Sequence, residues 1–196
     1  QCLNEIPREP AILWSRFFKV RTGFYDVGAL VENINLRAGT KDAKYRFRIY
    51  DSAGVLLDTR EGVTWLFPNQ KTFVFESNLK SGLQKASRVD FDLGVGSWGV
   101  LAEDDSLKIE IVQKRFETND SGAEVFVTLI NKSVFEESAL EVAVLLARSG
   151  ENVYAASRTE VKNLAAQSRR DITFTWPSPA LEKPETITLL YRRILK

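Results

Sequence analysis

"FRIYDSAGVLL" (47–57) reads as a strand, a tight turn and a second strand. Within "YRFRIY" (45–50), Tyr45, Phe47 and Ile49 fall on one face and Arg46 and Arg48 on the other. That two-residue period marks a half-buried strand. "DSAG" (51–54) supplies the turn: Asp51 starts it and Gly54 provides a positive φ. Further on, "VAVLLARSGENVYAAS" (142–157) has the same rhythm, with Gly150 standing 96 residues after Gly54.

Helical signals are scarce on either side of these hairpins, because no long stretch places apolar residues at i, i+3, i+4 and i+7. Short alternating runs dominate: "ILWSRFFKV" (12–20), "FYDVGALVEN" (24–33), "VTWLF" (63–67), "TFVFE" (72–76) and "SRVDFDL" (87–93). In 24–33, Tyr25, Val27, Ala29 and Val31 share a face, while Asp26 and Glu32 take the other. If that strand pairs with 45–50, its acids meet Arg46 and Arg48 as cross-strand ion pairs.

The second half repeats the plan. "AEVFVTLIN" (123–131) matches "YDVGALVEN" at an offset of 98, which aligns Asn131 with Asn33. Gln167 in "NLAAQ" lies 97 after Gln70 in "LFPNQ". "DITFTW" (171–176) answers "TFVFE", and "TITLLYRR" (186–193) answers "SRVDFDL". Four anchors at nearly constant offset mark an internal duplication. The expected organisation is a tail (1–10), a first β-sandwich (11–98), a linker (99–106) and a second β-sandwich (107–196). Each half is expected to hold about seven short antiparallel strands. "GSWGVLAEDDS" (96–106), Gly-bearing and acidic, carries the boundary.

Composition narrows the chemistry. The chain has 196 residues, 44% of them apolar and 27% charged, and a net charge of +1. Such a balance sets up no global field toward nucleic acid or a membrane surface. No apolar run approaches the roughly 18 residues that span a bilayer. The absence of His excludes Ser-His-Asp and Cys-His catalysis and His-bearing metal sites. Cys2 is the single cysteine, so no intrachain disulfide forms. The chain opens at Gln1, not Met, and a preceding signal peptide or anchor is expected. A lipid-bearing cysteine would stand first after cleavage, whereas Gln1 precedes Cys2. The other readings are a cysteine with its partner upstream, or a bystander.

"FRIYDSAG" (47–54), preceded by "VENIN" (31–35) and followed by "LFPNQ" (66–70), resembles a known pattern. It is similar to the immunoglobulin-like modules of bacterial envelope proteins named for a Phe-x-Leu-Tyr-Asp signature. In that family a strand ends in V-x-N, then comes F-x-L-Y-D-x-x-G, then a Leu-x-Pro-Gly-Gln turn. Here Ile49 replaces the Leu and Asn69 the Gly. The second half keeps Gly150 but lacks Tyr-Asp, and "NLAAQ" lacks the Pro. The pair also resembles uncharacterised ectodomains of small-genome bacteria that follow a membrane helix and a Cys-rich linker. The resemblance implies two tandem immunoglobulin-like or fibronectin-III-like domains, an extracytoplasmic location, and Cys2 as the last linker cysteine. It implies no assigned activity, and fold does not imply function.

Several motifs invite sharper readings. "GVGSWG" (94–99) fits G-x-G-x-x-G, but a linker and a strand follow where pyrophosphate binding needs a helix. "SNLK" (77–80) fits the Ser-x-x-Lys of acyl-enzymes, yet Ser77 ends a predicted strand, not a helical turn. Glu103, Asp104 and Asp105 in the linker, with Glu117 and Asp120 in "ETNDSG", are calcium candidates. Sandwich junctions hold Ca²⁺ between linker and loop carboxylates, although solvated turn acids are the ordinary outcome. Glu136 and Glu137 are adjacent in a predicted loop, which does not define a hydrolytic carboxylate pair. Trp14 and Trp65 fall in alternating strands and are expected in the core, while Trp98 in the linker is a candidate partner contact. With Trp176 they could also form a sugar platform. Asn119-Asp-Ser and Asn131-Lys-Ser are glycosylation sequons. The Arg169–Arg170 and Arg192–Arg193 pairs, like Arg46 and Arg48, are interleaved with acids and read as solvated strand faces.

The expected function is a non-enzymatic envelope or cell-surface module for spacing, assembly or protein binding. A carbohydrate- or ligand-binding module is the alternative. No cofactor and no nucleic acid is expected. The expected partner is another protein or a second copy, with membrane contact only through an upstream anchor.

Overall fold

A computed structural model of the chain describes residues 6–101, 107–149, 152–177 and 181–195. Among them every regular element is a strand, and every pairing is antiparallel. Two compact units divide the chain between residues 103 and 104. The first unit holds β1 (Ala11–Arg21), β2 (Phe24–Asn33), β3 (Ala38–Tyr50), β4 (Leu56–Leu66), β5 (Gln70–Lys80), β6 (Arg88–Val95) and β7 (Gly99–Val100). The second holds β8 (Ile109–Asn119), β9 (Gly122–Asn131), β10 (Glu137–Ala147), β11 (Val153–Leu164), β12 (Arg169–Trp176) and β13 (Thr186–Arg193).

The sheets of the first unit run β1-β2-β5 and β4-β3-β6, and those of the second β8-β9-β12 and β11-β10-β13. Strand for strand the order is the same, and β9 and β13 begin 98 residues after β2 and β6. The sequence rhythm predicted about seven short strands per half. Among the described residues there are six long ones in each, and β7 adds a two-residue pairing with Ala38 and Gly39. Antiparallel ladders bond through the backbone, so they run on past the apolar alternation into polar rims such as Lys41–Asp42.

Alternation builds each core. Val27, Ala29 and Val31 of β2 meet Phe47 and Ile49 of β3, with Val74 and Leu79 of β5 and Phe91 of β6. Both sheets therefore feed one cluster. In the second unit Val125, Val127 and Leu129 of β9 meet Leu140, Val142, Val144 and Leu146 of β10. Each such side chain, fully buried, contributes about 1.5–3 kcal/mol. β10 breaks the alternation, because Ala143 and Leu145 on its other face are buried too. By register they lie between Arg158 and Ala156 of β11 and Leu190 and Thr188 of β13.

β2 and β3 lie in different sheets, so the ion pairs expected between them do not form. Arg46 pairs instead with Glu61 of β4 at 2.5 Å, and Arg48 with Asp92 of β6 at 2.6 Å. The duplication also shifts by one residue at its third anchor. Asn69 (φ 51°) and Gln167 (φ 55°), 98 apart, occupy the same left-handed position. Ser168, not Gln167, is the counterpart of Gln70: Gln70 pairs with Asn33, and the Ser168 carbonyl accepts the Asn131 amide.

Asn33 and Asn131 are buried at the ends of β2 and β9. The Asn33 Nδ2 donates to the carbonyls of Ala38 (2.8 Å) and Phe67 (2.9 Å), and its Oδ1 accepts the Asn35 amide. Asn131 donates to Phe135 (2.8 Å), Leu164 (3.1 Å) and Ala165 (3.2 Å), and its Oδ1 accepts the Ser133 amide. Each carboxamide ties the strand that leaves one sheet to two segments at the rim of the other. Asn33→Ala should cost about 3 kcal/mol, since two buried carbonyls lose their donor, and Asn131→Ala about 2 kcal/mol, since of its three acceptors only that of Leu164 lies buried. Asn33→Asp should cost more, because an acceptor-only carboxylate would face two carbonyl oxygens. Urea titration of each variant measures both effects.

Candidate interaction surface

Sheet edges expose unpaired amides and carbonyls, and much of that edge is tied down here from the facing sheet. Between β4 and β5, Asp58 accepts the Lys80 amide at 2.8 Å and Arg60 donates to the Asn78 carbonyl at 3.3 Å. Between β12 and β11, Trp176 Nε1 donates to the Ala156 carbonyl and Arg170 to that of Asn163. Between β8 and β13, Lys114 donates to the Ile187 carbonyl and Tyr191 to that of Ile109.

β1 opens differently, with Ala11, Ile12 and Leu13 all exposed. A register shift at Leu13 bulges the strand, and a bulge re-aims its side chain. β8 carries the same irregularity at Val112. Leu13 is 42% exposed and Val112 45%. At the same end of each unit, the β2–β3 loop presents Leu36 at 72% and the β9–β10 loop Val134 at 74%. Leu36 and Val134 are 98 residues apart, like Asn33 and Asn131. Single exposed aliphatics are ordinary. A matched pair in both repeats, set beside a bulged edge strand and held up by a buried amide, is a surface of defined chemistry. Strand alternation gave no sign of it, because bulge and loop residues lie outside that pattern.

The acidic candidates are dispersed or undescribed. Glu103, Asp104 and Asp105 lie outside the described residues. Glu117 is held by Arg115 on its own strand, and Asp120 is exposed in the β8–β9 turn, where Asn119 accepts the Ser121 and Gly122 amides. Among the described residues no three acids or thiols gather around a metal-sized space. Glu136 is exposed, whereas Glu137 is buried and gripped by Arg193 at 2.5 and 2.8 Å. Ser77 and Lys80 lie on β5, so the helical turn their chemistry needs is not there. In "GVGSWG", the Gly96 amide bonds the Asp42 carbonyl and Gly99 starts β7, where phosphate binding would need a helix.

Arg169 pairs with Asp171 at 3.2 Å, and Arg192 with the buried Glu141 at 2.7 Å. Glu141 also takes Arg158 at 3.1 Å. An open depression of about 490 Å³ over β3 is lined by Lys44, Arg46, Glu61, Val63, Asp92 and Gly94. Its charges are of both signs, and Arg46 and Glu61 engage each other across it.

Trp98 is half-buried between β6 and β7. Trp14 belongs to the outer face of β1-β2-β5, not to the core cluster expected for it. There it meets Phe73, with ring centres 5.8 Å apart and planes tilted by 51°. Phe73 lies against Gly28, where a Cβ would come within 2.4 Å of the ring. A glycine opposite an aromatic was the available signal for this satellite cluster. Phe73 is 2% exposed, so the cluster offers no pair of open coplanar rings.

Asp26 is the outer-face acid of β2. Burial pushes its carboxyl above the ordinary 3.8, and the Asn78 amide bonded to it at 3.0 Å opposes that. It does not line the depression. With the folded value raised, the native state binds the proton more tightly, so stability falls as pH rises through that range. Asp26→Asn, which keeps the acceptor for Asn78, should raise Tm at pH 7, with the gain shrinking below pH 3.8. Thermal unfolding against pH measures it. Expression through a glycosylating secretory pathway should attach one glycan, at exposed Asn119 and not at buried Asn131, as mass spectrometry will read.

Compared with known families and curated proteins, the chain matches no family model and no curated relative.

Proposed function

We propose that the chain is a tandem of two immunoglobulin- or fibronectin-III-like β-sandwiches, working as a non-enzymatic extracytoplasmic module for protein contact and surface assembly. The sandwich reading is supported by two sheets sharing one core in each unit and by the β1-β2-β5 and β4-β3-β6 orders. The resemblance to Phe-x-Leu-Tyr-Asp envelope modules gains support from Asn69. It adopts a left-handed φ where that pattern carries glycine.

The observation that carries the contact reading is the repeated aliphatic pair, Leu13 with Leu36 and Val112 with Val134. A duplicated module that keeps aliphatic side chains in solvent at the same end of both copies, leucines in one and valines in the other, is built to meet partners there. Spacing alone would place no demand on those positions.

Light scattering on the purified chain across a wide concentration range tests this. Self-association should appear as mass rising with concentration, unchanged by Ca²⁺. The Leu36→Ser, Val134→Ser double variant should weaken it at least about tenfold, the equivalent of about 1.4 kcal/mol of lost burial. A monomer at every concentration overturns assembly and leaves a spacer or a receptor for a different protein.

A further inference from the structure

We infer that Ile6–Pro10 is a strap, docked on the first unit by the side chain of Asn35, so that the chain enters that unit in one fixed direction. The Asn35 carboxamide engages both backbone polar groups of a single residue. Its Oδ1 accepts the Arg8 amide at 2.8 Å, and its Nδ2 donates to the Arg8 carbonyl at 2.8 Å. That is the two-bond pattern of a β-bridge, made by a side chain.

Asn35 is itself held rigidly. Its amide and Nδ2 both donate to Asn33 Oδ1, and its carbonyl accepts the Asn69 amide at 2.9 Å. The grip on Arg8 therefore runs directly into the buried Asn33.

The strap is suited to being held this way. "IPREP" places Pro7 and Pro10 three apart, both half-buried, while Ile6, Arg8 and Glu9 are exposed. Proline fixes its own φ and keeps the preceding residue extended, so little entropy remains to be lost on docking. Extended backbone of this kind makes no internal hydrogen bonds, which leaves the Arg8 amide and carbonyl available. The contact is to backbone alone, so it is indifferent to the side chain at position 8. In the second unit the residue 98 after Asn35 is Ser133, whose hydroxyl bonds Phe135 of its own loop.

Hydrogen exchange and ¹⁵N relaxation on the full chain test the strap. The Arg8 amide should exchange at least about tenfold more slowly than an open chain. Arg8→Ala should keep that protection, and Asn35→Ala should abolish it. Because Asn35→Ala also removes a bond to Asn33, Arg8→Pro supplies the second variant: it removes the strap's donor and leaves Asn35 with its bonds to Asn33. There the Glu9 amide should gain ps–ns motion while core amides stay protected. Open-chain exchange at Arg8 in the unaltered protein overturns the inference. So does protection that survives Asn35→Ala, or Arg8→Pro leaving Glu9 as ordered as before.

Discussion

Each unit depends on one buried carboxamide. A chain that leaves one sheet and enters the sheet facing it must bend at the rim, where ladder bonding stops and carbonyls are left over. Those of Ala38, Phe67 and Leu164 are buried, and a buried acceptor without a donor costs about 1–3 kcal/mol. Asn33 answers this for Ala38 and Phe67, and Asn131 for Phe135, Leu164 and Ala165. Only an amide combines two donors with an acceptor at that reach. Everything mounted on the β2–β3 and β9–β10 loops inherits its position from these side chains.

Much of this was legible in residues. Two-residue alternation located the core faces of β2, β3, β9 and β13, because a half-buried strand must alternate. The Asn33–Asn131 match exposed the duplication. What stayed hidden was non-local. Alternation says which face a residue takes but not which strand lies beside it, so it does not reveal Glu61 and Asp92 as the partners of Arg46 and Arg48. The Gln70–Gln167 match misled because it compared side chains, whereas the conserved quantity is the backbone conformation at Asn69 and Gln167. Trp14 fitted core alternation, but Gly28 across the strand makes room for aromatics on the other face.

The candidate surface was the least legible part. Leu13 and Val112 sit at bulges, and Leu36 and Val134 in loops, where no periodicity applies. The charged candidates are mostly engaged with one another. Arg193 closes on Glu137, Arg192 and Arg158 on Glu141, and Arg115 on Glu117. Charges committed to internal pairing leave the exposed aliphatics as the distinctive chemistry of these ends.

The contrast between β3 and β10 bears on how a tandem of like domains folds without error. Adjacent repeats of similar sequence are prone to exchanging strands as they emerge and collapse. Aligned through β6 and β13, Arg46 and Arg48 of β3 correspond to Ala143 and Leu145 of β10. An exchanged β3 would drive a guanidinium into the place of a leucine that is 4% exposed. An exchanged β10 would set a bare apolar row in water. Divergence at these two positions thus works as a proofreading step written into the central strands, and each half is left to find its own.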